Sequence, residues 1–266
     1  MNNYFRTKLI AFISLIVLTS ICGAEPLNNK LVLKKGDVIS HQQDNGDWNI
    51  VKILEIDKWP DGTYTAHCLT YNPTDLKPEW NKIEALEVFA YHSPIDAASF
   101  SSGWNLIGNS VPKKSELVGF VEYLKLTDFQ RYAEVSNLDI NELVSEANLN
   151  YKNAITAGEI GNHKDAIVLY SKAIDLFPLF YEAIDNRGFT YMDIGEYKNA
   201  IDDFKESLRV NPDGLSAFFS IGECLLIMGQ YIKAMQVFDE GKSKFPDREE
   251  LFQDFYNKAE SLSVNG

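Results

Sequence analysis

The feature that most constrains this chain is a recurrence with a period of 34 residues. Three consecutive frames, 147–180, 181–214 and 215–248, put the same kind of residue at the same place. Position 8 is small (Ala154, Gly188, Gly222) and position 15 is glycine (Gly161, Gly195, Gly229). Position 20 is alanine (Ala166, Ala200, Ala234), position 24 aromatic (Tyr170, Phe204, Phe238) and position 32 proline (Pro178, Pro212, Pro246). A period of this length marks a supersecondary unit that cannot bury its apolar face alone and stacks on its neighbours. The spacing predicts two antiparallel helices per frame. Small residues at 8 and 20 let them approach, and the aromatic at 24 fills the space between frames. Glycine at 15 turns the chain, and proline at 32 stops the second helix.

Over Ala147 to Arg248 this pattern resembles the tetratricopeptide repeat, five positions agreeing in register across three copies. Local departures are Ala157 and Leu225 at the family's usual tyrosine of position 11, His163 at the aromatic of position 17, and Gly241 at the alanine of position 27. The resemblance implies an all-α superhelix whose first helices line a concave face. Carried onto this sequence, that face includes Tyr151, Ile155, Asp185, Asn186, Phe189, Asp193, Phe219 and Glu223 as candidate peptide-binding residues. Tyr151, Phe189 and Phe219 would grip an extended or helical peptide, while Asp185, Asp193 and Glu223 favour a basic or neutral one. The alternative is that these rings pack against the chain's own helices or the N-terminal domain. Relatives that clamp acidic C-terminal tails use Lys, Asn and Arg at set positions. Only Asn186 matches here, so that mode is excluded. After the third frame, "EELFQDFYNKAESL" (Glu249 to Leu262) places Leu251, Phe252, Phe255 and Tyr256 on one face, as a closing helix requires.

From Lys30 to about Tyr91 the periodicity changes to short runs rich in β-branched and aromatic residues: "GDVIS", "WNIVKILEI", "TYTAHCLTY" and "LEVFAYH". Asn45-Gly46 and Asp61-Gly62 are hairpin signals between them. Four or five strands at this spacing predict a small curled antiparallel sheet or barrel of the Tudor type. Ile50, Leu54 and Ile56 are expected on one face, and Val51 and Ile53 on the other. A helix is expected to begin near Ser115, which would serve as its N-cap. Over Gly36 to Leu124, "GDWNIVKILEID", "HCLTYN" and the segment Ser99 to Leu126 resemble small bacterial domains of unassigned function, some grouped with toxin-immunity proteins. That resemblance implies no activity. Trp48, Trp59, Tyr64, Tyr71, Trp80 and Trp104 are expected mainly as core. An aromatic cage for a cation or a proline-rich ligand is the alternative.

The fold class is therefore α+β: residues 1–24 a leader, 25–126 a β-rich domain with a terminal helix, 127–146 a helical connection, 147–248 three repeats, and 249–266 a closing helix and tail. Arg6 and Lys8 precede an apolar run from Leu9 to Ile21, and small residues at Cys22 and Ala24 suggest cleavage after Ala24. This predicts an exported, periplasmic or secreted bacterial protein. The alternative is an N-terminal membrane anchor, the chain's one expected link to a membrane. Without the leader, Cys68 and Cys224 remain, read as two buried free thiols rather than a disulfide.

The formal net charge of −13 argues against a nucleic-acid partner, which requires clustered Lys and Arg. His41, His67, His92 and His163 fit no metal-ligand spacing, and His67 and Cys68 point to opposite faces of a strand. No phosphate loop, nucleophile elbow or His-Glu-x-x-His motif is present. The expectation is a non-enzymatic adaptor with no cofactor and no metal, whose partner is a protein or peptide. An immunity-type neutraliser that occludes a basic toxin, and an envelope accessory that binds glycan through aromatics, are the alternatives.

Overall fold

The structure, a computed structural model, describes residues 31–265. The expected leader, with Cys22 and the cleavage position, lies outside the described residues. Contacts divide the chain after Asp128 into a β-rich unit and a helical unit.

The β-rich unit is one antiparallel sheet of β1 (Asp37–Gln42), β2 (Trp48–Lys58), β3 (Tyr64–Tyr71), β4 (Val88–Asp96) and β5 (Asn105–Asn109), in the order β4-β3-β2-β1-β5. The two hairpin signals act as read. Gly46 and Gly62 sit at φ 94° and 85°, and the turns close through Gln43 N–H to Asp47 O at 2.7 Å and Trp59 N–H to Thr63 O at 2.9 Å. Ile39, Val51, Ile53, Ala66, Cys68 and Phe100 form the core on one face. His67 projects from the other, where α1 (Val118–Thr127) brings the ring of Phe120 to 4.8 Å.

Two local expectations are corrected. Ile56 does not share a face with Ile50 and Leu54. The β2/β3 register slips between Ile53 and Glu55, so the extra residue turns Ile56 into the Val51 and Ile53 cluster. Ser115 is not an N-cap either. The helix starts at Val118, with Leu117 at its cap. Before it, residues 113–117 form a turn in which the Glu116 and Leu117 N–H groups both bond Lys113 O, at 2.9 and 3.2 Å, while the Glu116 carboxylate accepts from buried Lys52 Nζ, at 2.8 and 2.9 Å, and from the Lys113 N–H at 2.6 Å.

The helical unit runs α2 (Phe129–Ser136), α3 (Ile140–Glu159), α4 (His163–Leu176), α5 (Tyr181–Asp193), α6 (Tyr197–Val210), α7 (Leu215–Ile227), α8 (Tyr231–Lys244) and α9 (Glu249–Asn265). From α3 onward each helix packs on the next. The position-15 glycines end α3, α5 and α7 with φ of 78°, 79° and 72°, values that a side chain with a Cβ strains to adopt. Beyond each glycine an N–H reaches back to the helix, as Glu196 N–H does to Tyr191 O at 2.8 Å.

The small residues have a visible reason. Gly188 faces the Phe204 ring and Gly222 the Phe238 ring so closely that an added Cβ would overlap each of them. In the first repeat Ala154 and Tyr170 share a core in the same way. Ala166, Ala200 and Ala234 are fully buried. Gly241, the departure at position 27, lies against the ring of Phe252 from α9, so the missing methyl is room for the closing helix. Phe252 is fully buried, and Phe255 and Tyr256 pack on the same core. Leu251 does not join them and is 39% exposed, because the α9 face turns about Phe252 and Ala259. Among the described residues no helix is long and apolar enough to cross a membrane.

Candidate binding surface

The eight candidate residues fall on the three first helices: Tyr151 and Ile155 on α3, Asp185, Asn186, Phe189 and Asp193 on α5, Phe219 and Glu223 on α7. All but Asp193 are half-buried, and Asp193 is exposed. Each of the seven is thus held by neighbours on one side and open on the other.

The three rings are anchored differently. Tyr151 packs on Phe180 at 4.8 Å and Tyr170 at 5.9 Å between ring centres, and its hydroxyl accepts a hydrogen bond from Asn186 Nδ2 at 3.0 Å. That bond ties α3 to α5 across the repeat boundary. Phe189 stands edge-on to Phe204 at 5.0 Å. Phe219 is the most enclosed, meeting Phe255 at 4.7 Å, Phe252 at 5.6 Å and Phe238 at 5.7 Å. Internal packing is thus what holds these rings, and each leaves only part of its surface free.

Electrostatically the surface is poised against negative charge. Burial raises the Asp185 carboxyl above the usual range, and the nearby Glu182 and Asp203 charges add to this, with the neighbouring Ser207 hydroxyl acting against them. Among the described residues its Oδ1 is enclosed with no hydrogen-bond partner. Burial likewise raises Glu223, opposed by Lys258 of α9. Both carboxylates would be stabilised by an incoming cation.

Beside this face lies an ion pair that sequence reading missed. Arg187 of α5 donates to both Asp203 oxygens of α6, at 2.8 and 2.6 Å, and to Ser171 Oγ of α4 at 2.9 Å. Asp203 is only 7% exposed. Burial raises its carboxyl more than the Arg187 guanidinium lowers it. These are positions 7 and 23 of the second repeat. The third repeat has Ile221 and Val237 there, both in its core. Opposite charges at two positions that are apolar in a sister repeat were the available signal.

The β unit also joins residues that are dispersed in sequence. His67 Nδ1 lies 2.8 Å from His92 Nε2, and His67 Nε2 lies 3.1 Å from Asp57 Oδ2. Burial, then the charge of His67, pushes the His92 imidazole down to about 4. Among the described residues no group of three or more His, Cys, Asp or Glu side chains is arranged to hold a metal. Cys68 and Cys224 are buried free thiols, one in each unit. Burial raises both, Cys224 to about 11, which disfavours the reactive thiolate.

Residues 181–213 match the family model of the tetratricopeptide repeat. No curated protein matches the chain. Among solved structures, it is similar to the Arabidopsis OM64 TPR domain (15% identity, 47% of this chain, 99% of that one, TM-score 0.40). It is also similar to the TPR2B domain of yeast Sti1 in complex with pHsp70 (18%, 45% and 98%, TM-score 0.39). A third likeness is to the Sgt2 TPR domain from Aspergillus fumigatus (18%, 46% and 83%, TM-score 0.41).

Proposed function

We propose that this chain, which carries tetratricopeptide repeats, is an exported non-enzymatic adaptor that holds a peptide or protein segment across α3, α5 and α7. The observation that supports the reading is the half-open band formed by Tyr151, Ile155, Asp185, Asn186, Phe189, Phe219 and Glu223 on successive first helices. Apolar partner side chains would lie on the free parts of the three rings, which the core already holds in place, so little side-chain entropy is lost on binding. Asp185, Asp193 and Glu223 would set orientation and favour a basic or neutral segment. The net charge of −13 would speed encounter with such a partner at low salt. Because Asp185 and Glu223 have raised pKa values, acid neutralises them early, and affinity for a basic segment should fall as the medium is acidified.

The test is an immobilised peptide array carrying basic, neutral and acidic sequences, probed with the full chain and with the double variant Asp185→Asn, Glu223→Gln. The reading expects capture of basic or neutral peptides containing apolar residues. The double variant should lose about tenfold in affinity for the basic ones at unchanged helical content. Capture of acidic peptides alone, or an unaffected double variant, contradicts it. Export is tested separately by fractionating cells and sequencing the mature N-terminus, expected at Glu25.

A further inference from the structure

A cleft in the β unit is built differently from the helical surface. Its volume is about 470 Å3, within the range of about 300–1,000 Å3 that small-molecule sites occupy. Trp48 and Trp80 line it, with Ser40 from β1, Asn105 from β5, and Lys77 and Glu79 from the segment before the 3-10 helix Trp80–Ala85.

The walls are fixed. One side of the Trp80 ring lies against Gly108 of β5, where any Cβ would overlap the indole, yet Trp80 is 44% exposed. The ring is therefore a platform supported beneath and open above. Trp48 is held through its backbone: its N–H donates to Thr74 O at 2.7 Å and its carbonyl accepts from Thr74 N–H at 3.2 Å, pinning the 72–79 segment to the sheet. Ser40 is only 3% exposed and lines the cleft, a small polar residue set in its wall.

The balance of groups selects a ligand class. A cation would need uncompensated negative charge, but the Glu79 carboxylate already faces Lys82 at 3.2 Å, and Lys77 stands on the same rim. A proline-rich segment offers carbonyl acceptors but no backbone N–H at its prolines, so it would leave the acceptor oxygens of Ser40 and Asn105 unmatched. A pyranose does both jobs. Its C–H face, weakly positive, lies on the electron-rich indole face, and its hydroxyls donate to Glu79 and exchange hydrogen bonds with Ser40 and Asn105. We propose that the Trp48–Trp80 cleft is a binding site for a neutral saccharide.

The inference is independent of the adaptor reading, since the cleft lies wholly within the β unit. All four tryptophans of the chain are in that unit, so indole emission of the full chain reports the site directly. The probes are N-acetylchitotriose, maltotriose and cellotriose, with tetramethylammonium chloride and a proline decapeptide as competing chemistries. The expected result is a saturable emission change with at least one saccharide, with Kd below about 10 mM. Affinity should weaken about tenfold or more in Trp80→Ala and about threefold in Ser40→Ala, with far-UV circular dichroism unchanged. If Trp80→Ala does not fold, Ser40→Ala and Asn105→Ala carry the test. The proposal is overturned if no saccharide binds at about 10 mM, if the folded variants bind like wild type, or if only the ammonium or the proline peptide saturates. Peptide capture by the helical unit should be unchanged in all these variants.

Discussion

Arg187 and Asp203 illustrate how one pair of residues can be costly to break and cheap to replace. The pair took two charges out of water, and removing Asp203 alone strands the guanidinium among α4, α5 and α6. Asp203→Ala should therefore lose about 3–5 kcal/mol, whereas the joint change Arg187→Ile, Asp203→Val, which copies the third repeat, should be nearly neutral. Urea unfolding followed by circular dichroism at 222 nm checks both. A joint variant as damaged as the single one would mean the ion pair specifies the fold. His92 gives a second test at this scale. Packed against His67 at 5.1 Å and Tyr123 at 4.5 Å, with Asp57 behind His67, its imidazole is held near 4 rather than the usual 6.5. The unfolded chain takes up that proton first, so the β unit should lose on the order of 2–3 kcal/mol as pH falls from about 6.5 to about 4, with nothing further from this group below. Urea midpoints read by tryptophan emission should fall across that window and flatten in His92→Phe. Pairings such as these were not legible in the sequence, because they depend on strand register and on which repeat faces which, whereas Gly188 and Phe204 were legible through repetition alone.

At the scale of elements, repetition supplied redundancy that a single motif lacks. Three glycines at one position, all at positive φ, fixed the ends of α3, α5 and α7. Without such a repeat, α1 starts at Val118 rather than at its expected cap Ser115, and the bulge in β2 moved Ile56 to the other face. The fifth strand, β5, escaped assignment because "NLIGN" is short and its glycine serves the Trp80 ring rather than strand propensity. The closing helix was readable from its aromatic face, but the partner of Phe252 was hidden in the Gly241 departure. That contact predicts that Gly241→Val, which drives a branched side chain into the Phe252 ring, costs about 1–3 kcal/mol and loosens α9. Amide hydrogen exchange should show protection lost first in α9 and least in α3. Uniform loss would mean that the array unfolds as one cooperative block.

For the molecule as a whole, the arrangement separates two kinds of surface. The helical unit presents a band of half-open side chains with acidic character across three first helices. The β unit presents a small tryptophan-walled cleft on a sheet edge. The candidate band was legible as positions, since the family spacing named every residue in it. How far each ring is committed to the core was not, because burial of Phe219 depends on α9 folding back over it. The most direct test of the central claim is an amide chemical-shift map of the full chain bound to a basic or neutral peptide captured on the array. Perturbations concentrated on α3, α5 and α7, around Tyr151, Asp185, Phe189 and Glu223, are the predicted result. Perturbations confined to α4, α6 and α8, or to the β unit, would contradict it.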